Sequence, residues 1–60
     1  MTDQDIINQA YQATLNKLFG VFFDAYAIAI NPDDKTQAEQ RFQNGLKIAR
    51  AARDKAITLL

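Results

Sequence analysis

The sequence predicts an all-α fold: an antiparallel two-helix hairpin that pairs with a second copy into a four-helix bundle. Three observations carry that expectation. Apolar residues recur at spacings of three and four along both halves of the chain, which is the pattern of an amphipathic helix and not the alternation of a strand. One punctuation, Asn31-Pro32-Asp33-Asp34, divides the 60 residues into two nearly equal segments. The stretch from Leu18 to Ile30, LFGVFFDAYAIAI, holds four aromatics with Asp24 as its only charge. That is more apolar surface than a hairpin of this size hides by folding on itself.

Residues 1–60 form a single helical-hairpin domain in this reading. Thr2, followed three residues later by Asp5, reads as a capping box with Asp in place of the usual Glu or Gln, so the first helix starts near Asp3. It runs to about Ile30, because the residue before a proline is pushed out of the α region. The turn occupies residues 31–34 and overlaps the start of the second helix, which spans about 32–59. Asn31 is a favoured N-cap, Pro32 fits the N1 position, and Asp33 and Asp34 complement the dipole of the first turn. Each helix is then about 26 residues and roughly 40 Å long.

The two helices differ in what they offer a partner. On a wheel of the first helix, Leu18, Phe22, Ala25 and Ala29 form a central stripe, Phe19, Phe23, Tyr26 and Ile30 a second stripe on one flank, and Val21 and Ile28 widen the other flank. The polar strip is narrow: Gln9, Gln12, Asn16 and Gly20. The second helix has one modest stripe of small residues, Ala38, Phe42, Gly45, Ala49, Ala52, Ala56 and Leu59. Of these, Gly45, Ala49, Ala52 and Ala56 are expected to form the close-packing seam within the chain. A helix so lightly furnished covers one flank of its neighbour and leaves the other open. Phe19, Phe22, Phe23, Tyr26 and Ile30 are therefore assigned to an oligomer or partner interface, with a twofold-related copy as the expected occupant and another protein as the alternative. Gly45 fits the seam, where a missing side chain admits the neighbouring helix; the pattern offers no role for Gly20.

Composition removes several classes of function. The chain has no Cys and no His, so disulfides, thiolate or imidazole metal sites and imidazole acid–base catalysis have no ordinary residues to work with. Asp3, Asp5, Asp33 and Asp34 are accounted for by helix starts, and Asp24 reads as a boundary residue of the polar strip. No paired carboxylates, phosphate-cradling glycine loop or nucleophile–base set can be assembled. No enzyme activity, cofactor or metal is expected. The apolar stretch of 13 residues is shorter than the roughly 20 that span a bilayer, so no membrane association is expected. The acidic start and the lack of cysteine point to the cytoplasm.

Net charge is zero but unevenly divided. Residues 1–30 carry Asp3, Asp5 and Asp24 against Lys17, and residues 31–60 carry six cations against four anions, giving −2 and +2. Arg41, Lys47, Arg50 and Arg53 are the candidate contacts for the alternative reading, an RNA- or DNA-binding regulator that grips phosphates through the second helix. They fall on no single clean stripe, so a solvated face is the plainer account. A further alternative is a filament built from such hairpins. The expectation the sequence supports best is a small, non-enzymatic interaction or regulatory module acting as a homodimeric bundle.

Overall fold

A computed structural model describes all 60 residues as two helices, α1 (Asp3–Ile28) and α2 (Pro32–Thr58), folded back on each other as a hairpin. Both starts are capped as the residue types dictate. The Asp5 N–H donates to Thr2 Oγ1 at 3.1 Å and the Thr2 N–H donates to Asp5 Oδ2 at 3.2 Å, completing the capping box. At the second start the Asp34 N–H donates to Asn31 Oδ1 at 2.9 Å, with Pro32 in the first turn.

The first helix stops at Ile28, two residues short of the predicted end. Ala29 has φ −67° and ψ 128°, and Asn31 has φ −112° and ψ 163°, so both are extended. Reversal of the chain needs that stretch: Asn31 must leave the α region both to precede Pro32 and to aim its side chain at the Asp34 N–H.

Packing between the helices follows one stripe on each. On α1 the half-buried residues are Ile7, Tyr11, Leu15, Leu18, Phe22 and Ala25, with Ala29 just past its end; on α2 Ala38 is buried and Lys35, Phe42, Gly45, Ala49, Arg53 and Ala56 are among the half-buried. Near the turn the contact is aromatic. The Phe22 and Phe42 rings lie 4.8 Å apart between centroids, and Tyr26 stacks behind Phe22 at 5.4 Å. Phe22, grouped at the sequence level with the outward-facing interface, therefore belongs largely to the seam.

Farther from the turn the partners are smaller. A Cβ built on Gly45 would lie 2.7 Å from Leu18 Cδ2, so the glycine admits the Leu18 side chain, as its place in the stripe predicts. Ala52 departs from expectation: it is exposed, and Arg53 takes the seam position. The step from Ala49 to the next seam residue is four instead of three, and the long stem of Arg53 reaches Tyr11, its guanidinium 4.4 Å from the ring centroid. Gly20 has nothing within 4 Å of a built Cβ.

The result is a single two-helix layer. Its Cα extents are 45 × 17 × 7 Å, and Ala38 is the one buried residue of the chain. A helix pair of this kind has apolar residues on both of its broad faces, whereas stable domains stack at least two layers around a core. Solvent-accessible surface tells the same story. The chain exposes 4800 Å², about 850 Å² more than the roughly 3,950 Å² expected of a folded monomer of 6.8 kDa. No helix is long and apolar enough to cross a membrane.

Candidate functional site

Two surfaces stand out, one on each broad face of the layer. The aromatic face is built by the turn half of α1. Phe19 and Phe23 are 57% and 59% exposed, with their rings 6.3 Å apart, and Ile30 in the turn is 93% exposed. Tyr26 closes the group with Lys35 Nζ 5.1 Å above its ring. Four of the five predicted interface residues thus lie together and open to solvent, while Phe22 serves mainly to join the helices. The position of Lys35 over Tyr26 also fixes which side of α2 borders this patch. Residues at helical spacing from Lys35 are Glu39, Leu46 and Ile57, so the α2 half of this face is charged near the turn and apolar beyond it.

The opposite face was not anticipated. There the helices part into a groove of about 530 Å³ in the half farthest from the turn. Its α2 wall is Gly45, Ala49, Ala52 and Ala56, and its α1 wall includes Ala10, Tyr11 and Thr14. Small side chains on both helices leave the space, and Ile7, Leu18, Ile48 and Arg53 bound it. A shallower hollow of about 70 Å³, bordered by Val21, Ala25, Ala38 and Arg41, continues the depression toward the turn, with Leu18 shared by both. Exposed ridges flank it: Val21 at 62%, Ile48 at 70%, and Ile28 and Leu59 also open to solvent. All four residues assigned to a close-packing seam, Gly45, Ala49, Ala52 and Ala56, line this cleft, and Gly45 is in tight contact with α1, through Leu18. The signal was present in the sequence as small residues on α2 facing Ala10 and Thr14 on α1. A wheel shows which residues share a side; it does not show that neither side supplies bulk.

The four basic candidates diverge. Arg53 lies over Tyr11 and pairs with Asp54 at 3.0 Å. Arg41 borders the grooved face, whereas Lys47 and Arg50 stand on the outer side of α2 near Asp54. The fold does not bring them into one phosphate-binding stripe. No group of three or more His, Cys, Asp or Glu side chains gathers anywhere in the structure. Asp24 makes no ion pair or side-chain hydrogen bond and lies exposed on the outer edge of α1.

No family model matches this chain, and no curated protein or solved structure is similar to it. Its reading rests on the surfaces themselves.

Proposed function

We propose that this protein is a small, non-enzymatic interaction or regulatory module that works as a homodimer, two hairpins stacked into a four-helix bundle. The observation that supports it most is the surplus of exposed surface. About 850 Å² beyond the monomer expectation is close to the roughly 800 Å² per partner that a standard specific interface removes from water. Large apolar residues on the grooved face, Val21, Ile28, Ile48 and Leu59, supply the chemistry of such an interface. Leaving several such side chains in water forfeits about 1.5–3 kcal/mol each. Stacking a second two-helix layer is the least elaborate way to recover that energy, because one surface serves both copies. The aromatic face, with Phe19, Phe23, Tyr26 and Ile30, is the surface offered to a further partner protein. The proposal places the module in the cytoplasm, a compartment in which a cysteine-free chain is at home.

Sedimentation equilibrium at micromolar concentration tests the reading. The expected mass is twice 6.8 kDa. A folded monomer of single-chain mass overturns it, and a mass that keeps growing with concentration replaces it with a filament.

A further inference from the structure

We infer that the second copy covers the grooved face, and that the two hairpins lie head to tail, the turn of one over the open end of the other. The inference rests on the dimer proposed above and adds to it which face is used and in which order. Three features of the structure distinguish the faces.

The first is reach. One face of a 60-residue layer offers about half of its residues, so a standard interface of roughly 20–30 residues a side needs most of that face. Only the grooved side is apolar along its length and on both helices, from Ala56 at the open end to Ile28 near the turn. The exposed aromatic patch occupies the turn half of α1, and Lys35 and Glu39 stand beside it on α2.

The second is prior occupation. On the aromatic face Lys35 already lies over Tyr26, and Glu39 follows it one turn along the same side of α2. A flat second layer pressed there would take these charges out of water, which costs several kcal/mol per unpaired ion. On the grooved face the only charged side chains at the two hollows are Arg41 and Arg53.

The third is shape. The wide part of the groove lies at the open end, where Ala49, Ala52 and Ala56 leave space, whereas Val21 and Ile28 project from the turn half of the same face. A copy stacked with its turn over the other's turn would set groove on groove and leave a void. Turned head to tail about a twofold axis, α1 of each copy lies over α1 of the other, so the Val21 and Ile28 ridge meets the open-end stretch of Ala10 and Thr14, large against small. The aromatic patch then remains exposed at both ends of the bundle.

The chain has no cysteine, so single thiols report cleanly on burial. Ile48→Cys and Phe23→Cys replace residues on the two opposite faces, and their alkylation by a maleimide is timed at low and high chain concentration. The expected result is that Ile48→Cys reacts about tenfold more slowly once the dimer is populated while Phe23→Cys is unaffected. Protection at Phe23→Cys, alone or with Ile48→Cys, overturns the choice of face, as does absence of protection at Ile48→Cys in a sample that sediments as a dimer. A wild-type sample that sediments as a monomer instead defeats the underlying dimer, which separates the two failures. Circular dichroism of each variant, matching the wild-type helical signal, establishes that both are folded. For the order of stacking, Ile28→Cys treated with a short bis-maleimide is expected to give no linked dimer, since the two turns lie on the order of 40 Å apart; efficient linkage overturns the head-to-tail order.

Discussion

The turn half and the open half of this hairpin share one packing stripe but use it differently. Near the turn, Phe22 packs on Phe42 and Tyr26, and Ala38 is the one buried residue. Beyond Gly45 the same stripe runs through Ala49 and Ala56, and the helices enclose an open groove. The spacing of apolar residues is alike in the two halves, so periodicity alone does not account for the contrast. Side-chain volume does. Dispersion contact and displaced water scale with the atoms brought together, and an alanine facing a threonine brings few. The turn half holds the hairpin; the open half waits for bulk from elsewhere.

That comparison is most exposed to paired truncations. Phe42→Ala removes the ring that Phe22 packs on and is expected to cost about 2–3 kcal/mol, below the full-burial range because the ring is only half-buried. Ile7→Ala, on the open half, is expected to cost about half as much. Urea unfolding followed by circular dichroism at one chain concentration compares the two, and equal losses would erase the distinction between the halves.

The turn itself is the next largest contribution. Asn31→Ala deprives the Asp34 N–H of its acceptor and is expected to lower stability by about 1 kcal/mol. A neutral result in the same urea assay would show that Pro32 alone defines the start of α2.

The two glycines sharpen the contrast further. Gly20→Ala adds a methyl group into open space and is expected to stabilise the protein by about 0.5–1 kcal/mol through helix propensity. Gly45→Ala gains the same propensity but drives a Cβ to within 2.7 Å of Leu18 Cδ2, so the leucine must give way. Its net effect is expected to be at least about 0.5 kcal/mol less favourable than that of Gly20→Ala. Equal gains would mean that Leu18 moves freely and that the seam is looser than the structure shows.

The smallest effect is expected at Asp54→Ala. Its pairing with Arg53 joins neighbouring residues at the surface and contributes less than about 0.5 kcal/mol. A larger loss, judged by the urea midpoint, would point to Arg53 as being held over Tyr11 by that carboxylate.

Much of this was legible before any coordinates. Asn31-Pro32 and Thr2 with Asp5 announce the two helix starts because capping chemistry is local: a side chain three residues away satisfies a backbone N–H. The exposed aromatics followed from counting apolar residues against what α2 could cover. Three features were hidden, and each depends on a length or a volume that the order of residues does not state. The first helix ends at Ile28 because the reversal consumes two more residues than the proline rule requires. Arg53 displaced Ala52 from the seam because its stem is long enough to reach Tyr11. The groove exists because small residues happen to coincide across the interface, which a wheel drawn for one helix at a time does not register.

The central claim is that this layer becomes stable by gaining a second one. Thermal melting across chain concentrations from about 1 to 100 µM measures it directly, since folding coupled to association obeys mass action. The account predicts a midpoint that climbs by several degrees over that range. A cooperative transition whose midpoint stays fixed at every concentration would contradict it.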